Sequence, residues 1–458
     1  MPYPNLATGP HRKTTYQINK SFRVFGTRIN FKPLVGVNTI REDASLKVLV
    51  VGNGAREHAI ARKLSQDNIT LYSAMAKRNP GIAGLSKHVE IMDLTNLDSY
   101  DRFNDVDIAF IGPDPILAAG VVDKLEKIGI PSVGPSKAAA KLEWSKAYTR
   151  TFFEENGLQG NPEFKICYNL KDIHGFMKTH NELVVKPDVL TGGKGVKLTG
   201  EQLHSTKDIE DYSLERIKSD GLVVLEEKLK GKEFTLQGFS DGKNVRVMPM
   251  VRDFKRAYDG DKGPNTGSMG SFSCPDHGLP DLSSDAIHTG TEIMKQTVKK
   301  MNDAGIPFKG VLYGGFMETQ DGVYLIEYNV RFGDPEAINV LSLLDGSLLE
   351  TGWNIIDGKL GEVSFEKKAT VCVYLVPEGY PVSPKRDSPV ELMDSIDSEV
   401  YYASVHEENS VIKTTGSRSI ALLAKGDSVL EAREKVYLDV PKVKGDLFYR
   451  SDIGLGVD

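Results

Sequence analysis

Cysteine is scarce in this chain. Cys167, Cys274 and Cys372 are the only three in 458 residues, odd in number and far apart. They fit neither a disulfide framework nor a zinc site, and they suit a reducing compartment. Long apolar runs are missing as well, since none approaches the ~20 residues of a membrane-spanning helix; no membrane partner is expected. Excess positive charge is also lacking: the formal net charge is -6 and the sequence pI is about 5.9. That balance argues against nucleic acid as the main partner. Acids are absent from the first 41 residues, where Arg12, Lys13, Lys20, Arg23, Arg28, Lys32 and Arg41 are basic. An Arg-rich, acid-poor leader has the character of an organelle transit peptide; a disordered arm or an upstream start codon are the other readings. The cytoplasm is the expected location, with organelle import if the leader is a transit peptide.

What is present reads as a multidomain α/β protein. Hydrophobic residues make up 40% and charged residues 26%, ordinary for a globular chain, and the length allows two to four domains. LKVLVVGNGAREHAIARKL is a strand, a glycine turn and a helix with Ala59, Ile60 and Leu64 on one face. DIAFIG and then ILAAGVVDKLEKIG repeat the strand–helix alternation, which predicts a parallel, Rossmann-like domain. KAAAKLEWSKAYTRTFFEENG reads as one helix leading into the next domain. LVVLEEKLKGKEFTLQGFSDG reads as strand, turn, strand. Residues 251–275 read as a long Gly/Asp/Asn/Pro loop, of a length that is usually functional or disordered. A helix near 285–303 precedes a strand pair turned at Gln320-Asp321-Gly322, and the last hundred residues are mostly strand with one helix. Five segments are expected: a basic leader (1–45), an N-terminal domain (46–148), two central subdomains (149–220 and 221–352) and a small α+β C-terminal domain (353–458).

Two glycine loops invite a phosphate. LVVKPDVLTGGKGVKL carries Gly192-Gly193-Lys194-Gly195, but a Walker A loop needs glycine where Asp188 stands and a hydroxyl where Gly195 stands. What remains is a strand-borne lysine, Lys186, and a loop lysine, Lys194, between two strands, where backbone N–H groups can wrap a triphosphate; a plain glycine hairpin is the alternative. Gly52-Asn53-Gly54-Ala55-Arg56-Glu57 fails the dinucleotide fingerprint, because Glu57 occupies the third small position and no later acid reaches a ribose. A helix N-terminus with Arg56 still suits a phosphate monoester.

YLIEYNVRFGDPE supplies candidate metal ligands. Strand alternation puts Ile326, Tyr328 and Val330 on one face and Glu327, Asn329 and Arg331 on the other. Magnesium takes few oxygen ligands from protein and the rest from phosphates and water, so a carboxylate and an amide oxygen two residues apart suffice. Acids past the strand at Val223–Leu225 could accept hydrogen bonds from a base and a ribose, or form an exposed hairpin.

Taken in order, VLVVGNGAREHAIA, IGPDPILAAGVVD, VGPSKAAAKLEWSKAYTR, KPDVLTGGKGVKL, DGDKGPNTGSMGS, YNVRFGDPE and GDLFYRSDIG resemble the glycinamide ribonucleotide synthetase family of the ATP-grasp superfamily, from about residue 46 to the C-terminus. The resemblance implies a two-part ATP-grasp core between the N- and C-terminal domains. It also implies a reaction of de novo purine biosynthesis: glycine, ATP and 5-phosphoribosylamine give glycinamide ribonucleotide, ADP and phosphate through glycyl phosphate. Such chemistry needs positioning and charge stabilisation rather than a protein nucleophile, and no Gly-x-Ser-x-Gly elbow is present. Carried over, Lys146, Lys186 and the 188–196 loop (Asp188, Gly192, Gly193, Lys194, Gly195) would contact ATP phosphates. Glu226 and Leu229 would meet adenine, Glu233 the ribose, and Glu327 and Asn329 Mg2+ or Mn2+. Gly54, Arg56, Glu57, Pro113 and Asp114 would face phosphoribosylamine. Asp253, Lys255, Arg256, Asp259, Asn265 and Thr266, with Arg331 and Asp334, would complete the glycine and ribose-phosphate pocket; of these Lys255, Arg256, Arg331 and Asp334 are the catalytic candidates. A monomer or small homo-oligomer acting on small molecules is implied.

The chain departs from the family pattern at Pro187, Val189, Thr191 and Gly192 of the loop, at Phe254 where a histidine is usual, at Ser268 and at Val330, changes that resemble the archaeal branch. Two rivals stand beside this reading: another ATP-grasp carboxylate–amine ligase, and a non-catalytic nucleotide-binding homologue.

Overall fold

The structure is a computed structural model that describes residues 45–190, 192 and 195–457. The basic leader, and the expected phosphate-contacting residues Gly193 and Lys194, lie outside the described residues.

Chain order begins with β1 (Leu46–Val51), α1 (Ala55–Leu64), β2 (Ile69–Met75), α2 (Pro80–Leu85), β3 (His88–Ile91), β4 (Ile108–Ile111), α3 (Asp114–Ala119), α4 (Val121–Lys127) and β5 (Ser132–Val133). The strands form one parallel sheet in the order β3-β2-β1-β4-β5. Val48–Val51 of β1 and the whole of β4 are apolar on both faces and buried, as central parallel strands are. The helix expected from ILAAGVVDKLEKIG is broken at Gly120, whose left-handed φ of 97° ends α3 and starts α4. The helix expected over 137–157 is likewise two: α5 (Lys141–Trp144) and α6 (Lys146–Glu155). Ser145 between them has extended geometry, and its hydroxyl accepts from the N–H of Tyr148, a serine N-cap that restarts the helix.

The next unit holds β6 (Phe164–Cys167), α7 (Leu170–Met177), β7 (Leu183–Pro187), β8 (Lys197–Leu198), α8 (Thr206–Asp220) and β9 (Val223–Glu227). Its antiparallel sheet runs β6-β9-β7-β8, with a core of its own built on Ile173, Phe176, Val185, Ile209 and Leu225. β9 is the strand between β6 and β7, so this unit extends past the expected boundary at 220.

β10 (Lys232–Asp241) and β11 (Val245–Val247) open the second central sheet. β12 (Arg252–Asp253), β13 (Arg256–Tyr258), β14 (Lys262–Asn265) and β15 (Gly270–Ser273) follow, then α9 (Ser284–Asp303), β16 (Lys309–Thr319) and β17 (Gly322–Asn329). The sheet order is β11-β10-β16-β17, antiparallel. The expected 251–275 loop is therefore mostly short strand: β13 and β14 form a hairpin, and β15 pairs with a strand a hundred residues later.

The remainder comprises α10 (Glu336–Leu343), β18 (Leu344–Asp345), α11 (Leu348–Asp357), β19 (Ser364–Phe365), β20 (Ala369–Pro377), β21 (Pro389–Leu392), β22 (Glu399–Tyr402), β23 (Val405–Glu408), β24 (Val411–Thr414), β25 (Ile420–Gly426), α12 (Val429–Asp439), β26 (Val443–Gly445) and β27 (Leu447–Phe448). β20, buried along its whole length, is central in the order β12-β15-β20-β25-β22. No helix among the described residues is long and apolar enough to cross a membrane.

Candidate active site

Lys186 stands near the end of β7 and is 4% exposed. Its Nζ lies 2.8 Å from Glu226 of β9 and donates to the carbonyl of Ile326 at 2.8 Å. Arg150 of α6 grips the same carboxylate with two bonds of 2.7 and 2.9 Å, and donates to the carbonyls of Leu325 and Ile326 at 2.9 and 2.7 Å. Burial alone would raise the Glu226 pKa; Arg150 and Lys186 outweigh it and hold the carboxyl below its ordinary range. Burial pushes the Lys186 ammonium down, against the pull of Glu226. Glu226, expected at adenine, is thus the counterion of two buried cations that tie the small subdomain to β17.

Asp188, at the base of the glycine loop, accepts from the Ala147 N–H at 2.8 Å and the Ser145 hydroxyl at 3.1 Å. An acid at a helix N-terminus is favourable, and this one fastens the loop base to α6. Lys146 Nζ donates to the Val189 carbonyl at 3.2 Å. Farther along the loop, the Tyr212 hydroxyl donates to the Gly195 carbonyl at 2.6 Å; Gly192 has a left-handed φ of 57°. Leu229 is half-buried and Glu233 exposed.

β17 corrects the simple alternation. Leu325 pairs with Phe316 and Glu327 with Gly315, leaving Ile326 as a bulge. Leu325 and Tyr328 are both core residues, three apart, and the bulge permits it. It also frees the Ile326 carbonyl for Lys186 and Arg150. Glu327 and Asn329 are half-buried. Among the described residues no hydrogen bond or ion pair engages the Glu327 carboxylate, while Asn329 Oδ1 accepts from Arg331 at 2.9 Å. Arg331 also lies 3.5 Å from Asp114 and 3.3 Å from Glu143. Burial would lower its pKa, but Glu143 and Asp114 drive it up.

On the N-terminal side, Glu57 Oε2 accepts the Gly54 N–H at 2.6 Å and Oε1 accepts from Arg56 at 2.6 Å. Arg56 donates onward to the Phe332 carbonyl at 3.2 Å. The glutamate that spoils a dinucleotide fingerprint fills the space between two strand ends: a Cβ on Gly112 would lie 2.1 Å from Glu57 Oε1. Pro113 precedes α3, and Asp114 is its first residue. Burial opposes ionisation of Asp114, but Arg331 and Arg56 prevail and lower its pKa.

Asp253 ends β12 opposite Ser271. Lys255 lies 3.7 Å from Glu233, and its pKa is raised chiefly by Asp253, then by Glu233, Glu327 and Glu336. Thr266 caps the Lys255 carbonyl at 2.7 Å through its N–H. Three other residues of this segment serve the hairpin. Asp259 accepts from the N–H of Ser451 at 2.8 Å, Arg256 donates to Gly263 at 3.1 Å, and Asn265 is exposed, pairing in register with Arg256. Arg450, 1% exposed, clamps the hairpin: it pairs with Asp261 at 2.8 Å and Asp452 at 2.7 Å, donates to the Arg256 carbonyl, and stacks 4.9 Å over the Phe254 ring. Phe254, where the resemblance leads to an expectation of histidine, thereby has a packing role. Arg450→Met is expected to free the hairpin, accelerating limited proteolysis within 256–265 while the N-terminal domain stays resistant.

Asp334 accepts from the Tyr374 hydroxyl at 2.5 Å and pairs with Arg418 at 3.2 Å. Glu336 follows, buried, accepting from the Tyr313 hydroxyl at 3.0 Å; burial, then Asp253, pushes its pKa from 4.5 up to about 7. Native Glu336 therefore holds a proton that the unfolded chain has released, and stability falls as pH rises from about 4.5 to 7. Glu336→Gln removes that slope, so its melting temperature relative to the parent should rise between about pH 5 and pH 8. A constant difference would refute the shift.

The structure thus brings Lys186, Glu327, Asn329, Arg331, Asp114, Arg56 and Lys255 toward one region, and turns Glu226, Asp188, Asp259 and Arg256 to holding the frame. Arg150, Glu143, Glu336, Arg418 and Arg450 were not foreseen. Glu143, Arg150, Glu336 and Arg450 lie inside segments that carry the resemblance, but only their distant partners reveal a role.

A parallel domain followed by two antiparallel subdomains, with cations of one facing an acid–amide strand of the other, is the ATP-grasp architecture, a class of ligases that uses ATP and a divalent metal. Three family descriptions match in order: the phosphoribosylglycinamide synthetase N domain over 46–143, its ATP-grasp (A) domain over 144–337 and its C domain over 370–456. A phosphoribosylamine–glycine ligase of Methanoregula boonei is 47% identical over 416 residues, covering 89% of this chain and 96% of that protein. One from Thermococcus gammatolerans is 45% identical over 420 residues, at 89% and 94% coverage. The crystal structure of phosphoribosylamine–glycine ligase from Thermotoga maritima superposes with a TM-score of 0.75 at 27% identity, covering 89% of this chain and all of that one. This chain belongs to the phosphoribosylamine–glycine ligase family. N5-carboxyaminoimidazole ribonucleotide synthetase of Thermotoga maritima, at 14% identity and a TM-score of 0.61, shares the fold alone.

Proposed function

We propose that the chain joins glycine to 5-phosphoribosylamine, giving glycinamide ribonucleotide, ADP and phosphate, a step of purine biosynthesis. A glycine carboxylate oxygen attacks the terminal phosphorus of ATP, and the bond to ADP breaks. The amine nitrogen then attacks the acyl carbon, phosphate leaves with the carbonyl–oxygen bond, and the nitrogen loses a proton. The observation that carries this reading is Arg331, engaged at once with Asn329 of β17 and Asp114 of the N-terminal turn. It supports a reading in which the amine side lies against the phosphoryl-transfer side.

In this reading Lys146, Lys186 and the loop over 188–196 hold the triphosphate. Glu226 and Arg150 keep the Lys186 ammonium in place. Leu229 and Glu233 border the nucleoside, and the Gly54–Arg56 turn at the N-terminus of α1 takes the ribose phosphate. Asp253, Lys255, Thr266 and Asp334 enclose glycine. Glu327 and Asn329 would hold Mg2+ or Mn2+: the Glu327 carboxylate has no competing bond among the described residues, and Asn329 Oδ1 keeps a second lone pair. Two protein ligands suit a cation completed by phosphates and water. The cation would neutralise charge on the transferring phosphoryl group.

Glycine labelled with 18O in its carboxylate tests the route. One labelled oxygen per turnover should appear in the released phosphate. Unlabelled phosphate accompanied by product would reject the acyl phosphate.

A further inference from the structure

A line of alternating charge joins the two sides of the site. Glu57 pairs with Arg56, Asp114 is stabilised by both Arg56 and Arg331, and Arg331 reaches Glu143 and Asn329. Glu143 ends this line. It sits in the four-residue helix α5, 7% exposed, where the N-domain match ends and the ATP-grasp match begins. A carboxylate is rarely buried unless both charge and hydrogen bonds are met. Here one oxygen faces Arg331 at 3.3 Å and the other accepts the Val330 N–H at 2.8 Å. That N–H is a special donor. The β16–β17 ladder ends at Tyr313 opposite Asn329, so the next backbone donor needs a partner from elsewhere. Glu143 supplies it, fixing the strand immediately after Asn329 and the guanidinium that touches Asn329.

We propose that Glu143 is a positioning residue: it locks the exit of β17 and, through Arg331, couples occupancy of the phosphoribosyl side to occupancy of the nucleotide–metal side. This rests on the ligase reading above, which sets Asp114 at the phosphoribosyl group. Arg331 is shared by Asp114, Asn329 and Glu143. A ligand that draws on Asp114 changes the load that Arg331 places on Asn329, provided Glu143 holds the arginine from the third side. Coupling of this kind is reciprocal, so each ligand must alter the affinity of the other by one common factor.

The probes are MgADP and ribose 5-phosphate, titrated calorimetrically, each with and without the other. In the unaltered protein each should tighten the other by an equal factor, roughly fivefold or more. In Glu143→Gln, titrated beside the unaltered protein at pH 8 because burial pushes the Glu143 pKa up to about 7, the amide oxygen still accepts from Val330 but the charge facing Arg331 is gone. Its separate affinities should stay within about threefold while the coupling factor falls below about two. Coupling preserved in Glu143→Gln, or none in the unaltered protein, overturns the proposal. So does a lowered melting temperature with coupling intact, which would mark a merely structural acid. Should Glu143→Gln lose its circular dichroism, Glu143→Asp, which keeps the charge but draws it one methylene back from Arg331 and the Val330 N–H, should likewise lower the coupling factor below about two, and coupling preserved there overturns the proposal. Failure of the ligase reading looks different: the unaltered protein would then bind no pentose phosphate at all.

Discussion

Glu327→Ala is expected to lower ADP release by on the order of 10³-fold while the protein stays folded. The carboxylate is the stronger of the two oxygen donors on β17, and without it a divalent cation would rest on Asn329 and the phosphates. Several kcal/mol of charge stabilisation in the phosphoryl-transfer step is at stake, and about 1.4 kcal/mol is tenfold in rate. Folding has little reason to respond. The core residues of the strand are Leu325 and Tyr328, not Glu327, which is half-buried and makes no hydrogen bond or ion pair among the described residues. The melting temperature should shift by no more than about 2 °C. Excess magnesium should restore part of the rate, and Glu327→Asp should fall between. Turnover within about tenfold of the parent would remove Glu327 from the metal site.

Arg150→Met should have the largest effect on stability. Arg150 is 2% exposed; it makes two bonds to Glu226 and one each to the carbonyls of Leu325 and Ile326. Methionine keeps much of the volume and none of the donors. Glu226 is left buried with Lys186 alone, and two carbonyls at the bulge lose a partner. Removing one side of a buried pair costs about 3–5 kcal/mol, which lowers the melting temperature by roughly 3–6 °C in a chain of this size. Glu226 keeps Lys186 at 2.8 Å, so adding Glu226→Gln to Arg150→Met would leave the buried Lys186 ammonium without a counterion and should not recover the loss. A double variant clearly more stable than Arg150→Met would instead assign most of the cost to the carboxylate.

The sequence exposed what local pattern encodes. The β1–α1 turn, the β16–β17 hairpin and α9 are written in periodicity and turn residues within about twenty positions. Hidden were features whose partners lie far along the chain. Arg150 meets Glu226 and Ile326, Glu143 meets Val330, and Arg450 meets the 256–261 hairpin; no local period marks any of them. β15 pairs with β20, which is why 251–275 looked like loop: strands of two to four residues carry little signal alone. At Ser145 a cap residue with favourable helix formers on both sides concealed a break. The resemblance implied Asp188 at the ATP phosphates and Asp259 in the substrate pocket, whereas in the structure their carboxylates accept from backbone N–H groups of α6 and of Ser451. A sequence shows that an acid is present; only the fold shows what it faces.

One site that spends ATP only to join glycine to phosphoribosylamine should release ADP only when every reactant is present. The most direct test is ADP release by the purified protein with glycine, phosphoribosylamine and magnesium each omitted in turn. Sustained release that requires all three, with glycinamide ribonucleotide formed in equal amount, is the expected result. Sustained release with another amine and none with phosphoribosylamine, or no release in any mixture, would contradict it.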